Sequence, residues 1–202
     1  MLELKEKVLD SYSLEWLKKN KTEEYETCVK YIEKFTIRHV SVVEARNDDF
    51  CPQDYSYNTL HSSDWSLLML GVAGCGKTGL AKCLMDMCYS KFRNISCAAF
   101  DCRYLAKVFK TCEKSFGNAY NDLMKRLESY AVLVIDDINE LDDNLEILIS
   151  NRYDKKQITV FISNEKFTCD ERIKSRIKDG IWIDLKQIDL RGSEEYKRRK
   201  EK

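Results

Sequence analysis

Residues 71–78 read Gly71-Val72-Ala73-Gly74-Cys75-Gly76-Lys77-Thr78, a glycine-framed stretch that closes on a lysine and a hydroxyl, with Gly79 directly after it. Glycine at 71, 74 and 76 permits backbone angles closed to residues with a side chain, so the chain can wrap tightly round an anion. The amides of such a loop, and of a helix starting at its end, point at that anion. A lysine in the seventh place reaches β- and γ-phosphates, and a hydroxyl in the eighth can ligate Mg²⁺. Gly71 through Gly79 are therefore the expected nucleotide-binding residues, with ATP or ADP as ligand and Thr78 as one magnesium ligand.

Such a loop needs a second acid for the metal and a group to handle the attacking water. Ala131-Val132-Leu133-Val134-Ile135 is an apolar run that delivers Asp136 and Asp137 to its end. At the carboxyl edge of a buried strand, Asp136 becomes the second magnesium ligand. Asp137 is then placed to orient or deprotonate water. A second apolar run, Ile158 to Ser163, ends beside Asn164, an amide that can lie near the γ-phosphate. Arg172 and Arg176 stand four apart in a helical stretch and share one face. That face is either simply solvated or supplies an arginine across a subunit boundary to stabilise transferred charge.

These groups require a scaffold of strands and helices in alternation. Strand-like runs lie near 65–70, 95–100, 131–136, 158–163 and 181–185, and helical stretches at 77–92, 102–113, 118–129 and 142–154 separate them. This predicts an α/β fold with a five-stranded parallel sheet covered by helices on both faces. Upstream, periodicity predicts helices over 2–19, with Leu2, Leu4, Val8, Leu14 and Leu17 on one face, and over 22–36, with Thr22 as cap. Residues 46–64, RNDDFCPQDYSYNTLHSSD, are polar and turn-rich and predict a loop. The expected organisation is a helical extension over 1–45, a nucleotide-binding core over 46–191 and a charged tail over 192–202.

Composition narrows the setting. The 202 residues carry 34 Lys and Arg against 34 Asp and Glu, so no broad basic footprint for nucleic acid exists. No apolar run is long enough to span a bilayer, and no secretory leader is visible, which predicts a cytoplasmic protein with no membrane partner. Nine cysteines and two histidines lack zinc-ligand spacing, which predicts buried free thiols. Cys75 is the exception, an accessible thiol expected to make nucleotide binding sensitive to oxidation.

Taken in order, GVAGCGKT, VLVIDDI, ISNRYDKKQITVFISN and ERIKSRIKDG resemble the AAA+ ATPases of the helicase-loader branch, the DnaC, DnaI and IstB type, over roughly residues 22–191. The resemblance implies an AAA+ P-loop core with a short helical extension before it and little or no lid after it. It makes Asn164 the first sensor residue and Arg176 the arginine finger, with Arg172 supporting and Arg191 as the nearby candidate for a second sensor. It also implies that two helices within 102–129 face single-stranded DNA, with Lys107, Lys110, Lys114, Lys125 and Arg126 as phosphate contacts. The implied partners are a hexameric replicative helicase, single-stranded DNA and further copies of the chain in a spiral or ring. An IstB-like transposition helper and a nucleotide-gated regulator of a replication protein remain alternatives. Asp137 stands where many AAA+ members carry Glu, so slow turnover is expected.

Overall fold

The computed structural model describes residues 4–7, 9, 14–44, 53–114, 118–164 and 167–185. Its centre is a five-stranded parallel sheet in the order β4-β5-β6-β3-β7. The strands are β3 (Ser66–Leu70), β4 (Cys97–Asp101), β5 (Val132–Asp136), β6 (Ile158–Ser163) and β7 (Ile181–Asp184). All five lie where the apolar runs predict them. Side chains alternate between two cores, as strand geometry demands. Leu68, Phe100, Leu133, Ile135 and Phe161 face one core. Leu67, Met69, Val134, Val160 and Ile162 face the other. Burial on both faces explains why β3, β4, β5 and β6 read as continuous apolar runs, while β7 at the sheet edge is fully buried only at Ile183.

Helix α3 (Lys77–Lys91) covers the second face, joined by α2 (Thr22–Glu33), whose Cys28, Tyr31 and Ile32 enter the same core. Helices α4 (Cys102–Glu113), α5 (Ala119–Ser129), α6 (Asp143–Asp154) and α7 (Glu171–Lys178) cover the first. Aspartates cap three of them: Asp101 accepts from the Tyr104 amide at 3.1 Å, Asp142 from Leu145 at 3.0 Å and Asp170 from Arg172 at 2.9 Å. The first two caps set the starts of α4 and α6 to within a residue of expectation.

Three upstream expectations are corrected. Among the described residues the helix expected over 2–19 is seen as α1 (Leu14–Asn20); residues 4–7 and 9 have no helical structure, while Leu2 and Val8 lie outside the described residues. Leu4 is buried in one core and Leu9 in the other. The second helix ends at Glu33, and its N-cap falls on Lys21 without a side-chain bond. Thr22 is its first residue, and its hydroxyl donates back to the Lys18 carbonyl at 2.6 Å. The loop expected over 46–64 contains β2 (Gln53–His61), which pairs antiparallel with β1 (Thr36–Glu44), from Thr36 opposite His61 to Glu44 opposite Gln53. The two strands form their own sheet, touching the rest through single bridges from Asn58 to Ile95 and from His61 to Gln157, so their polar alternation does not resemble a core strand. Residues 46–52 and the tail 192–202 lie outside the described residues.

Arg152 ties three elements together from a fully buried position. Its Nε donates to Thr159 Oγ1 at 2.9 Å, Nη1 to the carbonyls of Leu127 at 3.0 Å and Tyr130 at 3.1 Å, and Nη2 to that of Ile158 at 2.7 Å. The planar fork of a guanidinium suits this spread of acceptors. Trp65 Nε1 and Ser66 Oγ donate to the carbonyls of Arg176 and Ile177, which docks α7 on the start of β3. Among the described residues no helix is long and apolar enough to cross a membrane.

Candidate functional site

The carboxyl ends of β3, β5 and β6 converge on one edge of the sheet, the edge where open parallel sheets bind ligands. After β3 the chain turns through Gly71, Gly74 and Gly76 at φ of 148°, 84° and 101°. These angles suit glycine and strain other residues. At Gly71 a Cβ would also lie 2.7 Å from the Leu185 carbonyl oxygen and 2.8 Å from Cys75 Sγ. Helix α3 opens on Gly76 with no side-chain cap, so its first amides keep their capacity for an external acceptor.

Lys77 is 5% exposed. Its Nζ donates to the carbonyls of Gly71 at 2.6 Å and Val72 at 2.9 Å, and to Asn164 Oδ1 at 2.9 Å. Three acceptors satisfy the three protons of an ammonium. Asn164 passes the connection on, because its Nδ2 donates to Asp137 Oδ1 at 3.1 Å. On the other side, Thr78 Oγ1 donates to Asp136 Oδ2 at 3.4 Å. Lys77, Thr78, Asp136, Asp137 and Asn164 thus come from α3 and from the ends of β5 and β6 to form one hydrogen-bonded group. The oxygen pair of Thr78 and Asp136 fits Mg²⁺, a hard cation usually held by one or two carboxylates with the rest of its shell from phosphates and water.

Asp137 adopts φ of 58°, a left-handed conformation that aspartate tolerates better than most residues. Its amide donates to Asp136 Oδ1 at 2.8 Å, and Asn139 Nδ2 donates to Asp137 Oδ1 at 3.3 Å. The Arg103 guanidinium also pairs with Asp137 and, as the main cause, holds its carboxyl below the usual carboxylate range against the opposing effect of burial. A cleft of about 410 Å³ opens beside this pair, lined by Arg103, Lys110, Asp137 and Asn139 among others.

Cys75 is fully buried behind the loop, its Sγ 3.6 Å from Lys77 Nζ. The expectation of an accessible thiol there is corrected: the side chain packs into the core with Leu80 and Leu185. The other described cysteines are free, and all but the half-buried Cys169 are buried.

Arg176 stands apart from the phosphate loop. Its guanidinium lies 4.8 Å above the Tyr153 ring, with Nη2 3.9 Å from Asp154. Arg172 is exposed in the first turn of α7, and Lys107, Lys110, Lys114, Lys125 and Arg126 are exposed on or beside α4 and α5. Arg191 lies outside the described residues. Sequence reasoning missed Arg103 and Lys7, which contact the two acids. A basic residue just after a strand tip is a weak signal for Arg103; nothing local signals Lys7.

A glycine loop leading into a helix, two acids on a neighbouring strand and an amide on the next define a P-loop nucleotide-binding protein. Residues 67–185 match the ATPase family associated with various cellular activities (AAA), and the chain belongs to that family. No curated protein sequence matches it. Among solved structures it is similar to a candidate primosome component from Streptococcus pyogenes serotype M3, at 14% identity and TM-score 0.55, over 89% of this chain and 84% of that one. It is also similar to DnaI, at 21% identity and TM-score 0.51, over 61% of this chain and 71% of that one. A DNA replication initiation factor aligns at 17% identity and TM-score 0.51 over 59% of this chain, which spans only 39% of that protein's length. These likenesses show a shared fold.

Proposed function

We propose that this protein is an ATP-driven loader that places a hexameric replicative helicase on single-stranded DNA, working in the cytoplasm. The observation that carries the ATPase part is the hydrogen-bonded group Lys77–Asn164–Asp137 beside Thr78–Asp136 at the end of the phosphate loop. The loader part is supported by the likeness of the fold to DnaI and to the primosome component.

In this reading the nucleotide phosphates draw Lys77 away from the Gly71 and Val72 carbonyls. The loop amides from Gly71 to Gly79 and the open start of α3 bind the phosphates. Thr78 and Asp136 hold Mg²⁺, which when bound neutralises phosphate charge. Asp137 and Asn164 together position the attacking water, and Asp137 exchanges Arg103 for that water. Arg176 of a neighbouring copy completes the site, so turnover depends on assembly into a spiral or ring. The exposed bases of α4 and α5 track the DNA backbone, and residues 1–45 form the contact with the helicase.

Size-exclusion chromatography of the chain with the replicative helicase of its host, with ATP, with ADP and without nucleotide, tests this. An ATP-sensitive complex that Lys77→Ala abolishes is expected. No complex under any condition refutes the loader reading.

A further inference from the structure

Residues 4–7 and 9, ahead of α1, run along β4, the strand at one edge of the sheet. The Lys7 amide donates to the Ala99 carbonyl at 2.7 Å. The Lys5 amide donates to the Tyr104 hydroxyl at 2.9 Å, and the Tyr130 hydroxyl donates to Glu6 Oε1 at 3.2 Å. Leu4 is buried in the core on one face of the sheet and Leu9 in the core on the other. This strap therefore crosses the sheet edge from one core to the other, with Lys7 between its anchors.

Lys7 directs its ammonium at the candidate metal position. Its Nζ lies 2.7 Å from Asp136 Oδ2 and 3.9 Å from Asp101 Oδ2. Asp136 Oδ2 is the oxygen that Thr78 Oγ1 also approaches. The Asp136 side chain is only 7% exposed, so its charge requires a partner close by. Mg²⁺ would need that oxygen at about 2.1 Å, with its own shell of water and phosphate oxygens. An ammonium at hydrogen-bond distance from the same atom occupies part of that shell, and two cations so close repel.

We propose that Lys7 is an in-chain stand-in for the divalent cation, and that Mg²⁺-nucleotide and the 4–9 strap compete for Asp136. This rests on the nucleotide-site reading above. Without nucleotide, Lys7 neutralises Asp136 and the strap stays on β4. Binding of the metal complex expels the ammonium, removes one of the strap's attachments and transmits nucleotide state to the segment that leads into α1 and α2.

The test is the affinity of a fluorescent ADP analogue, with Mg²⁺ and with EDTA, for the wild type, Lys7→Gln and Lys7→Arg. Lys7→Gln should tighten Mg²⁺-dependent binding about fivefold and so raise the ratio of the dissociation constant in EDTA to that in Mg²⁺, while Lys7→Arg keeps the wild-type ratio. Leu9→Ser, which loosens the strap but keeps the lysine, should shift the ratio in the same direction. Hydrogen exchange should show the Lys7 amide losing protection when Mg²⁺ and ADP are added together, and less with ADP in EDTA. A ratio unchanged or lowered by Lys7→Gln overturns the competition: Lys7 is then idle or a phosphate contact. If the folded wild type binds no nucleotide in either condition, the nucleotide-site reading itself falls and the competition with it.

Discussion

Replacing Asn164 with alanine separates binding from turnover, because Asn164 links Lys77 to Asp137 without being needed to hold a nucleotide. Its two bonds, 2.9 Å to Lys77 Nζ and 3.1 Å to Asp137 Oδ1, both involve charged partners. Bonds of that kind contribute about 1.5–3 kcal/mol when well sheltered. Here both are part-buried, and Lys77 keeps the Gly71 and Val72 carbonyls as acceptors, so the resting protein should lose only about 1 kcal/mol. Nucleotide binding already draws Lys77 toward phosphate, so the dissociation constant should move by less than about threefold. Turnover is different. With no amide to orient Asp137 and the attacking water, kcat should fall about 100-fold, equivalent to about 2.7 kcal/mol of transition-state stabilisation. Steady-state phosphate release at saturating ATP, with fluorescent-nucleotide titration alongside, checks both numbers. A kcat within threefold of wild type refutes the reasoning. So does a large rise in KM at unchanged kcat, which would mark Asn164 as a ground-state contact only.

Arg152→Met should destabilise the fold by about 2–4 kcal/mol, since three carbonyls and a hydroxyl lose a buried donor; a shift of the urea midpoint worth under about 1 kcal/mol would show that the clamp holds little. Arg176→Ala should leave nucleotide binding intact and abolish assembly-dependent ATPase activity, and mixing it with Lys77→Ala should restore activity; full activity of Arg176→Ala alone removes it as the finger. Burial pushes the thiols of Cys97 and Cys102 up to about 12 and those of Cys83 and Cys169 up to about 11, so thiol labelling of the native protein at pH 8 should be slow at these four sites and fast in denaturant. The same shifts set an alkaline limit. The folded state keeps protons that the unfolded thiols release from about pH 9 upward, so stability should be full below that and fall as pH rises toward 11 and 12, read as a declining Tm.

The phosphate loop and the five sheet strands were legible in the sequence because their signals are local. Gly71 to Thr78 encode the turn through residue type at fixed spacing, and a strand buried on both faces must be apolar throughout. The hairpin was not legible. Gln53–His61 alternates tyrosines with polar residues, and a two-stranded ribbon lying outside the five-stranded sheet has no need of a continuous apolar run. Cys75 looked accessible because a loop that binds phosphate must be reachable; yet its thiol is buried in the core beneath.

The sequence by itself determined which groups are on offer: a glycine loop closing on Lys77 and Thr78, two acids at the end of one strand, an amide at the end of the next, and a parallel sheet to carry them. Those are properties of short segments, and hydrophobic periodicity and residue type suffice to read them. Only the tertiary structure decided what those groups touch. Folding turned Lys77 onto the carbonyls of its own loop and set Arg103 against Asp137. It also brought Lys7, from a segment distant in the chain, to Asp136. The contacts of Arg103 and Lys7 depend on where two remote segments meet in space. Nothing in the neighbourhood of Lys7 encodes its contact.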